Sequence, residues 1–294
     1  MLESVTNATD LEGAVSHLST NSVLIACILL LLLVIASVIV VKRKKKKLFL
    51  PVFSAIAVIV ISTTAIISGS TIYLNVKSAT GGPVHWHADI EFWACGNELE
   101  LRDPTGFLSN KIGTPTLHEH NDKRIHLEGV PVELPDDASL GKFMQVVGGE
   151  VSNNSLIVPI NDTGYFEAEA DGDGSPSDQP QLVEKFIKTS PDGKVASFVN
   201  GQTCGNQPAE VQVFVYNYNK NDKTYKQTKV AHPADYAITG ESQVPPGDCA
   251  IFEFDIKKDR TDKLCEQFGI RDADKCATFG IVGKREICEI REIF

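Results

Sequence analysis

Two long stretches without a charged residue, separated by six consecutive basic residues, constrain this chain more than any other feature. The uncharged stretches run over 22–41 and 48–76, and KRKKKK at 42–47 separates them. A twenty-residue helix spans about 30 Å, the hydrocarbon thickness of a bilayer. Because basic loops stay in the cytoplasm, both chain termini are predicted to lie outside. The acidic start of the chain favours a retained anchor over a cleaved signal peptide.

The sequence thus predicts a protein that crosses the cell membrane twice and carries one extracytoplasmic region. The predicted segments are an outer N-terminal tail (1–21), transmembrane helix 1 (22–41), a cytoplasmic basic loop (42–47), transmembrane helix 2 (48–76), a linker (77–83), a His-rich β domain (84–248) and a Cys-rich C-terminal subregion (249–294). Membrane lipid is therefore a predicted partner. The basic loop is predicted to be a topology signal, with contact to anionic lipid as the alternative.

The charge distribution argues against nucleic-acid binding. The net charge is −10, although the basic loop contributes +6 and residues 1–21 contribute −3. The chain from Leu48 onward therefore carries −13. Nucleic-acid binding depends on cationic groups that neutralise phosphates, so we expect no nucleic-acid partner.

The cysteines agree with an outer location. Six of the seven fall in the predicted outer region, and the other is Cys27 in the first apolar stretch. An even set in an oxidising compartment predicts three disulfides, although six cysteines allow 15 pairings. The six are Cys95, Cys204, Cys249, Cys265, Cys276 and Cys288.

Alternating apolar and polar residues predict that the outer region is rich in strands. Residues 84–92 alternate with period two, and 116–120 with 124–128 are predicted to form a hairpin. A short helix is predicted after Ser139, ending at Gly148. Further predicted elements are strands at 155–160, 210–218 and 250–256, a loop at 171–180, and short helices at 259–268 and 272–279. The predicted fold is a β-rich sandwich, barrel or α+β domain with disulfides.

Histidines are concentrated in one part of this region. Five of the seven lie within 42 residues. Four of them form two HxH pairs, His85 with His87 and His118 with His120, and the fifth is His126. Residues i and i+2 of a strand share a face, so each pair presents two imidazoles to one side. On neighbouring strands the two pairs would converge, with His126 close behind.

This pattern predicts a transition-metal site. Imidazole is a common ligand of copper and zinc, whereas calcium and magnesium prefer oxygen. Asp89, Glu91 and Glu128 fall on the same polar faces, as direct ligands or as groups that orient the rings. Copper is favoured narrowly over zinc, because the Irving–Williams order favours it and no thiolate is committed to the site. The alternatives are a polar sheet surface without metal and a metal-free catalytic or pH-sensing cluster.

Two resemblances accompany these motifs. His85, His87 and Glu91 resemble the first metal motif of cupins, which are small β-barrels with a His/Glu-bound metal. More broadly, HWHAD at 85–89, HEHNDKRIHLEG at 118–129, SLGKF at 139–143 and FVNG at 198–201 resemble, over roughly 84–256, an uncharacterised family of prokaryotic membrane-anchored outer domains. That family often has a further His where this chain has Glu128. The resemblance implies the architecture and the His cluster, but the family has no established activity.

The sequence therefore favours a membrane-anchored extracytoplasmic protein that captures, stores or hands over copper or zinc. A structural or adhesive cell-envelope protein with an incidental His cluster is one alternative. Envelope proteins are further predicted partners of the outer region. A cupin-like metalloenzyme is another. The sequence contains no G-x-S-x-G, P-loop or CxxC motif, so it assigns no catalytic residue.

Overall fold

The structure is a computed structural model that describes residues 11–105, 110–162, 181–219, 221 and 224–268. Contacts within the chain separate two compact units. One unit contains Met1–Pro83 and Gly129–Val132, and the other contains Val84–Glu128 and Glu133–Phe294. The first is formed mainly by helices and the second mainly by strands.

Two long helices make up most of the first unit. Helix α1 (Leu11–Lys42) and helix α2 (Phe49–Lys77) are joined by a 3₁₀ turn at Lys46–Leu48. Both are long and apolar enough to cross a membrane. Their large aliphatic side chains are mostly exposed, which is unlike a helix in the core of a soluble protein. Hydroxyls within the apolar stretches donate to backbone carbonyls one turn earlier, as Ser37 does to Leu33, so they need no water.

The second unit is built around an eight-stranded sheet. Its strands are β1 (Val84–Ala94), β2 (Asn97–Leu99), β3 (Ile112–Gly113), β4 (Leu117–Glu119), β5 (Arg124–Gly129), β12 (Glu210–Asn219), β13 (Thr224–Lys229) and β14 (Asp248–Asp255). Their order is β13-β12-β14-β1-β5-β4-β3, with β2 paired to β1. Strands β1 and β14 are parallel, with Ala88 opposite Asp248. The predicted strands in 84–92, 210–218 and 250–256 and the predicted hairpin are confirmed.

A smaller sheet and two short helices complete this unit. The smaller sheet has the order β6-β7-β9-β8, and a separate hairpin pairs β10 with β11. The elements are β6 (Glu150–Val151), β7 (Ser155–Pro159), α4 (Gln181–Glu184), β8 (Ile187–Ser190), β9 (Gly193–Val199), β10 (Thr203–Cys204) and β11 (Gln207–Pro208), besides α3 (Leu140–Val147). Apolar residues from both sheets share one core, in which Phe198 of β9 stacks on Phe254 of β14 at 4.9 Å.

Helix α3 begins and ends where the sequence predicts. The Ser139 side chain accepts a hydrogen bond from the Lys142 amide, and Gly148 takes the left-handed conformation that ends the helix. Its buried face, with Phe143 and Met144, belongs to the shared core. The helix contacts β3, β4 and β6. It thereby supports the His-bearing hairpin from the apolar side.

The segment at 259–268 differs from the helix predicted for it. Within this segment, only residues 266–268 are helical. The Lys263 carbonyl accepts from the Tyr216 hydroxyl at 2.6 Å, and Gln227 binds both backbone groups of Thr261. These bonds to β12 and β13 use the backbone groups that a helix would need. The segment covers the polar face of β1, which is therefore buried instead of exposed at Glu91.

The cysteines form two disulfides in the part of the chain that the structure describes. Cys95 is bonded to Cys204, and Cys249 is bonded to Cys265. Cys276 and Cys288 lie outside the described residues, as do the predicted loop at 171–180 and helix at 272–279. Cys27 of α1 is a free thiol. A β-rich domain with disulfides is therefore confirmed.

Candidate metal centre

The sheet order brings the histidines together. Strand β1 carries His85 and His87, and its neighbour β5 carries His126 and Glu128. Strand β4 lies on the far side of β5 and places His118 directly opposite His126. His120 follows at the end of β4. Three adjacent strands thus contribute all five clustered histidines and one carboxylate to a single patch.

The first group consists of His85, His87, His126 and Glu128, whose candidate ligand atoms lie within 4.8 Å of one another. Glu128 Oε1 is 2.8 Å from His85 Nε2 and 3.8 Å from His126 Nδ1. The His85 side chain is 60% exposed and that of Glu128 is 38% exposed. The group therefore has a buried side and a side open to solvent.

Hydrogen bonds fix the orientation of two of these rings. His87 Nδ1 lies 2.6 Å from the Ser242 carbonyl oxygen, and His126 Nε2 lies 3.1 Å from Asp122 Oδ2. Both oxygens only accept, so these nitrogens carry the protons when the rings are neutral. The opposite nitrogens, His87 Nε2 and His126 Nδ1, are buried and have no hydrogen-bond partner among the described residues. Metal-binding histidines are oriented in this way, with one nitrogen held by an acceptor and the other lone pair free.

The partners of these two histidines are themselves held in place. The Ser242 loop lies along β1, because the His87 amide donates to the Glu241 carbonyl. Gly247 permits this approach, since a Cβ there would lie about 2.5 Å from the His87 carbonyl oxygen. At the other ring, Asp122 belongs to the turn between β4 and β5. The buried Glu119 carboxylate accepts from the Asp122 and Lys123 amides and fixes that turn.

The second group consists of His118, His120 and His126. The Nε2 atoms of His118 and His120 are 3.1 Å apart, and His120 Nδ1 lies 2.9 Å from the Asn110 carbonyl oxygen. The acceptor at Nδ1 places the His120 lone pair at Nε2, facing His118. His118 is fully buried, and its Nε2 is 3.8 Å from Glu128 Oε2.

Burial keeps two of the rings neutral. It lowers the pKa of His118 to about 4, with the charge of Lys111 as a further cause. Burial also lowers the pKa of His87, opposed by the hydrogen bond to Ser242. Neutral imidazole is the form that binds a metal, so neither ring has to lose a proton at pH 7.

Asp89 and Glu91, predicted from the sequence as possible ligands, are placed in other contacts. Asp89 Oδ1 accepts from Arg124 Nε at 3.0 Å, and burial nevertheless raises its pKa to about 6. Glu91 accepts from the Trp93 indole and from the Glu266 amide. The structure brings neither carboxylate into the two groups, whereas it does bring in Glu128.

Sequence reasoning missed the residues that orient the rings. Asp122 stands in a stretch whose composition indicates a turn, and only its position four residues before His126 hints at a contact. Ser242 and Asn110 act through backbone carbonyls, for which the sequence carries no signal. The described cysteines outside α1 are all in disulfides, so the centre offers nitrogen and oxygen ligands.

Comparisons with protein-family models, with curated proteins and with solved structures gave no match for this chain. They add no support to the resemblances drawn from its motifs, and the geometry of the centre carries the functional argument.

Proposed function

We propose that this protein is a membrane-anchored extracytoplasmic metal-binding protein that captures, stores or hands over copper or zinc. The bound ion sits between His85, His87, His126 and Glu128. Three imidazole nitrogens and one carboxylate oxygen suit zinc in tetrahedral geometry and are also good ligands for copper.

The orientation of the rings is the observation that carries this proposal. A polar surface without a metal function would leave its histidine nitrogens bonded to water or to protein. Here His87 and His126 each donate one N–H to a fixed oxygen and keep the other nitrogen buried without a partner among the described residues. An unpaired buried polar atom costs on the order of 1–3 kcal/mol, so two such nitrogens beside Glu128 support the proposal that this group binds a cation.

The proposed membrane anchor and the proposed extracytoplasmic location are supported by observations outside the metal centre. Two helices are long and apolar enough to span a bilayer, and the connector between them is basic. Basic connectors tend to stay in the cytoplasm, which supports an outer location for the strand-rich unit. The two disulfides among its described residues fit an oxidising compartment.

Metal analysis of the purified full-length protein tests the proposal. After dialysis against micromolar Zn²⁺ or Cu²⁺ in detergent, we expect the wild type to bind metal stoichiometrically. A His87→Ala, His126→Ala variant should bind at least one ion fewer per chain. His232→Ala is the matched control, because His232 contacts Asn153 far from the centre in sequence. A folded wild type that takes up neither metal would contradict the proposal and favour an envelope protein with an incidental cluster.

A further inference from the structure

We propose that the centre holds two metal ions, bridged by the carboxylate of Glu128. This inference rests on the proposed function and adds a second ion, bound by His118, His120 and Glu128 Oε2. The first ion keeps His85, His87, His126 and Glu128 Oε1.

Distances separate the ligands into two sets. Two donors on one zinc or copper ion lie at most about 4.2 Å apart, twice a metal–nitrogen bond of roughly 2.1 Å. Within the described residues, neither group of candidate ligands contains both HxH pairs, and the two groups share only His126. A single ion therefore cannot bind both HxH pairs, and one site that uses all five histidines is excluded by these distances.

Glu128 lies between the two sets. Its Oε1 faces His85 Nε2 at 2.8 Å and His126 Nδ1 at 3.8 Å. Its Oε2 faces His118 Nε2 at 3.8 Å. A carboxylate with one oxygen toward each set can bind two ions at once and offset part of their mutual repulsion. Ions in two-metal protein sites are about 3.5–4 Å apart.

The second set already has the spacing of two ligands on one ion. The Nε2 atoms of His118 and His120 are in hydrogen-bond contact at 3.1 Å. This distance is also close to the separation expected for two nitrogens at about 2.0–2.1 Å from a shared cation, which would replace the shared proton. The Asn110 carbonyl holds His120 with its Nε2 lone pair toward His118. The second group contains His126 and not Glu128, whose Oε2 is 3.8 Å from His118 Nε2. The proposal therefore requires the carboxylate to move closer to His120 when the second ion binds. With three protein ligands, that ion keeps an open position.

The proposal predicts a stoichiometry and a magnetic signature. We would titrate the full-length protein in detergent with Cu²⁺, measure bound copper after equilibrium dialysis, and record electron paramagnetic resonance spectra. The wild type should bind two ions, and at two equivalents it should show spin coupling, seen as reduced signal intensity or a half-field transition. The first equivalent alone should give an ordinary uncoupled signal.

Variants separate the two ions. The His118→Ala, His120→Ala variant should bind one ion and show no coupling at any loading. If loss of the buried His118 prevents folding, the His120→Ala variant alone should give the same result. Glu128→Gln should lose the coupling, because an amide does not bridge two cations well. His232→Ala is the control and should keep two coupled ions. Tryptophan fluorescence checks the fold of each variant, since both tryptophans lie in β1.

Three outcomes would contradict different parts of the proposal. A folded wild type that binds no copper or zinc overturns the proposed function together with this inference. One ion per chain at saturation overturns the second ion and leaves the proposed function standing. Two ions without any coupling overturn the Glu128 bridge.

Discussion

The disulfides Cys95–Cys204 and Cys249–Cys265 are expected to stabilise the strand-rich unit unequally, because they close loops of very different length. Cys95–Cys204 spans 109 residues, whereas Cys249–Cys265 spans 16. A cross-link restricts the unfolded chain, and the lost entropy grows with the logarithm of the loop length. This relation gives about 5 kcal/mol for the long loop and about 3 kcal/mol for the short one.

The free energies of unfolding of variants without one or the other disulfide also depend on side-chain packing. Cys249 and Cys265 are fully buried beside Phe214 and Tyr216, so replacing them with alanine also removes core contacts. Replacement of Cys95 and Cys204 removes less buried surface, since Cys204 is only half-buried. Packing thus narrows the gap between the two free energies of unfolding. The denaturant slope m is a better measure, because it reports how compact the unfolded chain is.

We would compare Cys95→Ala, Cys204→Ala with Cys249→Ala, Cys265→Ala in the full-length protein in detergent. Guanidinium unfolding followed by tryptophan fluorescence reports only on the strand-rich unit, since both tryptophans lie in β1. The first variant should show the larger increase in m, because a 109-residue loop is released in its unfolded state. An equal or larger increase in the second variant would refute the loop-length reasoning.

Three further predictions concern the centre and the membrane. The free energy of unfolding of the metal-free protein should fall by up to about 3 kcal/mol as the pH drops from 6.5 toward 4. In this range His118 gains a proton in the unfolded chain, whereas the folded ring, with its pKa lowered to about 4, does not. Urea unfolding at several pH values should show a weaker pH dependence in His118→Gln. Asp122→Asn should weaken metal binding about 10–100-fold in competition with a chromophoric chelator, since the charge that orients His126 is lost, whereas Asp192→Asn should bind as the wild type does. Protease added to intact cells should digest the chain after Ser78, and protection until the membrane is broken would reverse the predicted orientation.

Local patterns predicted the scaffold of the centre well. Period-two alternation identified β1, turn residues identified the β4–β5 hairpin, and Ser139 with Gly148 marked the ends of α3. These features depend on near neighbours in the sequence. The same patterns predicted strands for both HxH pairs, although His120 lies just after β4, and they named Glu128 together with Asp89 and Glu91 as a possible ligand.

Contacts between distant residues were beyond sequence reasoning. The Ser242 carbonyl that orients His87 is 155 residues away, and the 259–268 segment that buries Glu91 was predicted to be a helix. The sequence also gave no way to divide five histidines between two groups. That division depends on the strand order β1-β5-β4 and on which oxygen of Glu128 faces which ring.

The parallel pairing of β1 with β14 has a consequence for biosynthesis. A ribosome releases β1 long before it makes Asp248, the residue that faces Ala88 across the two strands. Until then β1 lacks its neighbour on one side, and His87 also lacks the loop that holds its ring. Contacts this remote in sequence form slowly, and a nascent or truncated chain that ends before β14 keeps its histidines without a fixed geometry. If the centre binds an ion as proposed, its geometry is complete only after β14 has been made. A fragment with every clustered histidine but no β14 should therefore be a poor chelator.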